Sequence, residues 1–480
     1  MNPPTPPLYE TRTSVIKSGA TLLLRLPNGE AKAIKVEQNA TVSLGKVGAF
    51  PANELIGQPF GRTYDIIDKK LKVLPPRVMA DIEDTDATNE YINDGQSVQP
   101  LTLAEIQTLK QSGTHASEII RLQIEQHANY SLKTEYSKEK YKKRKEAKYG
   151  KVFTCIEPTL FNVCEYWFRK DPARVRDIRI DALSQILHMA NIRPGGRYLA
   201  VDDASGLLVA GILERMGGQG RLITLCNNDS PPAYPAVVNM NFNEETVAPV
   251  LASINWALTE QEHVPVVAPV ELPSEQIKSD RQRTRMDRRK AAQDLINSIR
   301  EELYAGEFER RVQCGACVAS RSNSINSLIV ASDYEPHSIL ERLVPHLAGS
   351  ASIVVQSPYG QVLSDLHGKI RGTPGYLCPS VSEVWMRRYQ VLPGRTHPTM
   401  NTSGTGGFIF HAIKVFDDGT ANAVTAKKTS KPMTNKPTTV KSEADVLEME
   451  EDETSAESKV KIEPQAHALD VSMADAEIHN

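Results

Sequence analysis

The chain has 480 residues, 40% of them hydrophobic and 24% charged, and carries a formal net charge of −3, enough length and apolar content for roughly two to four domains with real cores. Six cysteines are too few for a disulfide scaffold and fit a reducing compartment. No segment reaches the roughly 18 apolar residues of a membrane span, and Met1 to Pro7 has no apolar signal core, so a soluble intracellular protein with no membrane partner is expected.

The charge is uneven along the chain. Residues 421–480 hold twelve acids against seven lysines, which leaves the remainder mildly basic. Nucleic-acid affinity depends on such local concentrations of charge.

In chain order, residues 15–74 alternate apolar and polar in short runs, with Pro27-Asn28-Gly29 as a hairpin turn, and predict a small β-barrel or sandwich within a domain 1–80. A helical, lysine-rich linker is expected over 81–151. Its Asn93-Asp94-Gly95 reads as turn chemistry or as a backbone contact site. Thr102 and Glu105 make a capping box that opens a helix, and a second helix runs through Glu118 to Glu125. Lys133 to Lys151 has nine basic residues against three acids, centred on Lys140, Tyr141, Lys142, Lys143, Arg144, Lys145, Lys148 and Tyr149. This run fits a solvated helix face, a nuclear import signal, or an RNA-binding segment in which rings stack on bases and cations hold phosphates.

From Val152 to residue 417 the pattern is that of a doubly wound α/β domain, interrupted by a basic insertion near 260–300 that contains Arg285. Arg197 to Gly206 reads as a first strand and nucleotide-facing turn, followed by an apolar helix from Leu207 to Met216 and a strand from Arg221 to Leu225. The turn Asp202-Asp203-Ala204-Ser205-Gly206 keeps one glycine where cofactor loops use several for close backbone approach. Cys226-Asn227-Asn228 stands where a ribose-binding acid is usual, with Asp229 as a displaced substitute. Further strands are expected at Ser327–Ala331 and Ser352–Val355, with a terminal hairpin of Glu383–Val391 and Gly407–Val415. Cys314 and Cys317 have zinc-ribbon spacing but lack a second pair, so they read as ordinary thiols and no metal is expected. Residues 418–480 read as a disordered acidic tail.

Arg169, Lys170, Arg174 and Arg176 form a second basic cluster, read as an RNA contact or a solvated helix end. Arg371 with Gly372, and Arg395 with His397 beside the Ser403–Gly407 run, are further candidates for RNA or for a subunit interface. No Lys-Ser or Lys-Thr follows that glycine run, which argues against nucleotide hydrolysis.

Tyr389 to Pro398, Ser403 to Phe408, Asn191 to Gly195, Glu214 to Gly218 and Leu328 to Ser332, together with the lysine-rich Lys140–Tyr149 segment, resemble one family across residues 8–417: the non-catalytic subunit of the eukaryotic tRNA adenine-N1 methyltransferase, which acts on position 58 of the T-loop. The resemblance implies an α+β multidomain fold, with an N-terminal β-barrel, a helical basic linker and a C-terminal class I methyltransferase-like (Rossmann-like) domain whose cofactor site is degenerate. It implies a catalytic sister subunit that binds S-adenosylmethionine, a two-plus-two heterotetramer, tRNA as partner, no cofactor in this chain and a nuclear location. An active relative would carry an acid and a proline-rich turn after the fourth strand of the domain, which Ala331 to Pro336 matches poorly. The alternatives are a self-sufficient methyltransferase using Asp202 and Asp203, or a pure scaffold.

Overall fold

A computed structural model of the chain describes residues 15–75, 101–112, 114–127, 130, 133–228, 232–260, 280–312, 324–392, 395–400 and 404–416. Asn93, Asp94, Gly95, Asp229, Cys314, Cys317, Ser403 and the acidic tail lie outside them.

The first strands are β1 (Thr21–Arg25), β2 (Ala31–Lys35), β3 (Thr41–Ser43), β4 (Ala49–Pro51), β5 (Thr63–Ile67) and β6 (Lys70–Leu74). The β1–β2 hairpin turns at Pro27-Asn28-Gly29. Gly29 takes the left-handed conformation at φ 86°, and Asn28 Oδ1 accepts from Glu30 N at 3.1 Å. After α1 (Leu103–Gln111), α2 (Ala116–Glu125) and α3 (Glu135–Tyr149), the chain returns as β7 (Val152–Ile156) into the middle of this same sheet, whose order is β2-β1-β7-β5-β6. The α/β domain therefore starts after β7, not at Val152. The sheet is also not a closed barrel: β2 and β6 are its two edges, and the separate β3–β4 ribbon packs on one face through Val42 and Phe50.

Leu22 and Leu24 point into that core, while Leu23, between them, enters the core of the next domain. Burial on both faces is why β1 reads as a continuous apolar run rather than an alternating one. Asn241 locks the contact reciprocally, accepting from Thr21 N and donating to Thr21 O, each at 2.7 Å.

The second domain contains α4 (Leu160–Lys170), α5 (Ile180–Met189), β8 (Arg197–Asp202), α6 (Leu207–Met216), β9 (Arg221–Cys226), α7 (Pro235–Asn239), α8 (Glu244–Val247), β10 (Leu251–Asn255), α9 (Asp280–Val312), β11 (Ile325–Ala331), α10 (Pro336–Leu343), β12 (Leu347–Ser357), α11 (Gly360–Arg371), β13 (Tyr376–Glu383), β14 (Tyr389–Leu392), β15 (Arg395–Pro398) and β16 (Phe408–Lys414). Its seven-stranded sheet has the order β10-β9-β8-β11-β12-β16-β13, parallel from β10 to β12, with β16 antiparallel to both neighbours. Along β8, Tyr198 and Ala200 face the helices α4 to α7, whereas Leu199 and Val201 face α9 to α11. That two-sided cover is the physical basis of a doubly wound sheet.

The terminal hairpin differs from expectation. The strand paired with β16 is β13, and the expected strand Glu383–Val391 is divided between the end of β13 and β14, which pairs with β15 in its own hairpin. The basic insertion ends in α9, a 33-residue helix that buries Ile299 and Leu303 on the sheet as an ordinary crossover while its Arg-rich first half is exposed.

Candidate nucleic-acid surface and the filled switch-point crevice

The chain leaves β8 towards β9 and β10, then returns to β11, so the order reverses between β8 and β11. Doubly wound sheets bind nucleotides beyond the carboxyl ends of the strands at such a point. Here the end of β8 carries Asp202 and Asp203. Asp202 Oδ1 accepts from Ala204 N at 2.8 Å and Gly206 N at 3.2 Å, and its Oδ2 accepts from Val209 N at 3.0 Å. The carboxylate thus takes the amides at the α6 N-terminus that a bound anion would otherwise use. Burial pushes its pKa up to about 6, even though those three amides pull it down.

Asp203 Oδ2 accepts from Ser332 Oγ at 2.6 Å and from Asp333 N at 3.2 Å, which ties the end of β8 to the turn after β11. From β9, Asn227 Nδ2 donates to the Tyr334 hydroxyl at 2.7 Å, so two side chains join across the end of β8. Gly206, at φ 81°, is the glycine that the turn retains. A Cβ there would lie 2.6 Å from Tyr234 Cβ and 2.9 Å from Tyr234 Cα. Its freedom serves a close approach within the chain, and Ala236 N reinforces the contact by donating to Ser205 O at 3.1 Å. Tyr234 is buried, and burial raises its phenol above the ordinary value.

The basic residues separate into distinct settings. On α3, Tyr141, Lys145 and Tyr149 recur every four residues and face inward. Tyr141 stands edge-on to His127 at 4.9 Å and Tyr130 at 5.9 Å, Tyr149 is buried, and Lys145 Nζ lies 5.0 Å from the Tyr141 ring centre. Burial lowers the pKa of Lys145. Both tyrosines therefore pack within the linker, Tyr149 buried and Tyr141 half-buried, rather than standing out from α3 as free rings. Lys140, Lys142, Lys143, Arg144 and Lys148 are exposed on the remainder of the helix, with Lys143 paired to Glu139 at 3.5 Å and Lys148 Nζ 5.3 Å from the Tyr149 ring centre.

On α4, Lys170 Nζ donates to the Tyr166 hydroxyl at 3.0 Å and lies 4.8 Å from the Trp167 ring centre. Arg174 lies 5.3 Å from that same ring centre, with its Nε 3.3 Å from Ser205 Oγ. Arg169 Nε is 3.5 Å from Glu165. Arg176 is buried at φ 53°, pairs with Asp333 and accepts Gln356 Nε2 on its carbonyl at 2.9 Å. It is a structural arginine, contrary to its grouping with the RNA contacts. The pattern of charge alone could not separate it, because a left-handed backbone turns its side chain inward.

Arg285 is exposed on α9, and Arg371 with Gly372 is exposed at the end of α11. Arg395 and His397 lie on the β14–β15 hairpin, where Gln390 pairs with His397 and the His397 Nδ1 is 2.6 Å from Pro398 O. Gly406 and Gly407 are needed for packing: a Cβ would come 3.1 Å from Arg179 Cβ at Gly406 and 2.6 Å from Gln356 Nε2 at Gly407. Composition alone did not single out Arg25, Lys32, Phe161 and Arg388, which gather with Arg169 and Lys170 around one groove. The four-residue spacing of Phe161, Glu165 and Arg169 on one helix is the signal that points to that face.

These features define a class: a doubly wound α/β domain, joined to an N-terminal sheet, whose polar groups at the switch point are bonded to partners in their own chain. The chain belongs to the Gcd10p family, which it matches over residues 15–292. It is 30% identical over 418 residues to the tRNA (adenine(58)-N(1))-methyltransferase non-catalytic subunit TRM6 of Kluyveromyces lactis, covering 82% of this chain and 86% of that one. The protein of the same name from Debaryomyces hansenii is 29% identical over 460 residues, covering 90% and 93%, and that of Mus musculus is 28% identical over 434 residues, covering 81% and 86%. Among solved structures, the tRNA (m1A58) methyltransferase TrmI of Aquifex aeolicus aligns with a TM-score of 0.41 and 12% identity, over 84% of this chain and all of that one.

Proposed function

We propose that this chain is the non-catalytic, tRNA-binding subunit of a tRNA adenine-58 N1-methyltransferase and that it positions tRNA for a catalytic sister subunit, which holds S-adenosylmethionine. The observation that carries this reading is the crevice: Asp202, Asp203, Asn227 and Gly206 all have partners within the chain where a cofactor would need them. The donor set does not fit S-adenosylmethionine, so no methyl transfer is assigned to this chain.

The target adenine lies inside the tRNA elbow, and extruding it costs a few kcal/mol. Phosphate contacts spread over a basic surface can supply that energy. The exposed stripe of α3 and the cations around α4 are the elements assigned to it. No helix among the described residues is long and apolar enough to cross a membrane.

For the partner, β13 is an edge of the seven-stranded sheet among the described residues and exposes Leu377 and Val381, while the β14–β15 region exposes Trp385, Tyr389, Val391 and Met400. An unpaired edge beside a cluster of exposed apolar side chains suits a subunit interface. A two-plus-two assembly and a nuclear location complete the proposal. Copurification followed by mass analysis tests it: a methyltransferase partner is expected at equal stoichiometry, and calorimetry of the isolated chain with S-adenosylmethionine should show no heat of binding. Micromolar binding together with methyl transfer by the chain alone would overturn the reading.

A further inference from the structure

The groove between the β1–β2 hairpin and α4 has a volume of about 850 Å³. Its floor is the face of the sheet that carries Ala31, Ala33 and Ile156, small or branched apolar residues that leave room above them. Its wall is α4, capped by Thr159, whose Oγ1 accepts from Asn162 N at 3.3 Å, and this helix presents Phe161, Glu165 and Arg169 on successive turns. Phe161 is 52% exposed, so its ring is accessible at the groove.

The charge around this ring is ordered. Glu165 is largely buried and pairs with both Arg169 and Arg388, so one carboxylate holds two guanidinium groups beside the groove. Arg25 and Lys32 stand exposed on the hairpin side, and Lys170 is fixed against Tyr166 and Trp167. A planar ring over a shallow apolar floor suits the face of a nucleobase, and the surrounding cations suit its flanking phosphates. In a duplex the bases are stacked and paired away from such a surface, and only phosphates would reach the rim. The hairpin also continues the basic surface, because the end of α3 abuts it: a Cβ on Gly150 would meet Pro27 Cγ at 3.4 Å.

We propose that this groove is a subsite for an unpaired RNA nucleotide, with the base stacked on Phe161 and the phosphates held by Arg169, Lys170 and Arg25. The assignment rests on the reading of the chain as an RNA-binding subunit and specifies what one part of that surface takes: a nucleotide freed from pairing, such as those released when the tRNA elbow is opened. The ring supplies sequence-tolerant stacking, and the cations supply the salt-dependent part of the affinity.

The test uses the full-length chain with its copurifying partner and two fluorescein-labelled probes, an eight-nucleotide oligouridylate and a blunt RNA duplex with the same number of phosphates. Phe161→Ala should weaken oligouridylate binding about 5- to 100-fold while leaving the salt slope unchanged, as expected for loss of one stacked base. Phe161→Leu, which keeps the bulk without the ring, should lose most of the same affinity, and neither variant should change duplex binding or the melting temperature. Arg169→Gln should lower the slope of log affinity against log salt by about 0.7. Equal oligouridylate affinity for Phe161→Ala and the unaltered protein would overturn the subsite, as would competition by polyglutamate as efficient as that by RNA. If the unaltered assembly binds neither RNA nor full-length tRNA, the RNA-binding reading itself falls; if it binds tRNA but the Phe161 variants are silent, only the groove assignment falls.

Discussion

Neutralising one stripe of α3 should change how tRNA binding depends on salt, by an amount the helix geometry sets. Lys140, Arg144 and Lys148 recur every four residues on the exposed face and span about 12 Å along the axis, enough to follow one phosphate backbone. Lys143 lies off this row and Lys145 is half-buried over the Tyr141 ring, so neither is counted, whereas Lys148, 5.3 Å from the Tyr149 ring centre, keeps its side chain exposed. Each phosphate contact contributes about 0.7 to 0.9 to the slope of log affinity against log salt, so changing the three to Gln should reduce that slope by about 2 to 2.7. Between 50 and 200 mM salt the triple variant should then lose about 20- to 40-fold less affinity than the unaltered complex, starting from weaker binding at low salt. Filter binding or anisotropy with tRNA at four salt concentrations measures this, with circular dichroism to confirm that α3 stays helical. Lys145→Gln is the control and should leave the slope nearly unchanged. Parallel slopes for the triple variant and the unaltered complex would refute the assignment of this stripe to phosphate contacts.

Gly206→Ala should destabilise the fold by about 2 to 5 kcal/mol in urea denaturation, combining left-handed backbone strain with a clash against Tyr234; an unchanged midpoint would show that the turn relaxes. Lys414 is buried, with its ammonium donating to the carbonyls of Val344, Pro345 and Leu347, so Lys414→Met should cost about 2 to 3 kcal/mol by leaving those acceptors unpaired. Asp202 has a folded pKa of about 6 against an ordinary 3.8, so the stability present with the carboxyl protonated is lost as pH rises through that window, by up to about 3 kcal/mol. Melting curves from pH 4 to 7 should show Asp202→Asn gaining on the unaltered protein by that amount, and a pH-independent difference would refute the shift.

The doubly wound domain was legible because its signals are local. Leu199 to Val201 and Leu207 to Leu213 are apolar on both faces, and each run is bounded by glycine or a polar turn. What could not be read was which sheet a short strand joins. Val152–Ile156 carries no mark that it pairs with β1 and β5, strands that precede it by about 130 and 90 residues. The roles of the basic residues were legible as charge but not as direction. Tyr141 and Tyr149 share an inward face by spacing alone, yet only α2, packed against them, decides that this face is the buried one. Arg176 looks like its neighbours Arg169 and Arg174 until its left-handed backbone places it against Asp333. The groove beside Phe161 joins a hairpin to a helix far along the chain, so no window of sequence contains it.

On the proposed reading, the contacts at the end of β8 bear on how the domain does without a cofactor. Sites preorganised for a ligand hold polar groups and strained backbone in readiness, and they cost stability when empty. At the end of β8 those costs are met from within the chain: Asp202 receives the α6 amides, Asp203 ties β8 to β11, and the Asn227–Tyr334 contact spans the gap between β9 and β11. Ser205 keeps its left-handed conformation because Arg174 accepts its hydroxyl proton on the main-chain carbonyl and Ala236 donates to its own carbonyl. A glycine at Asp203 or Ser205 would therefore remove an internal partner before it opened any space, since Tyr234 still packs on Gly206. These contacts cooperate, so opening the end of β8 would require several simultaneous changes, each destabilising when made alone.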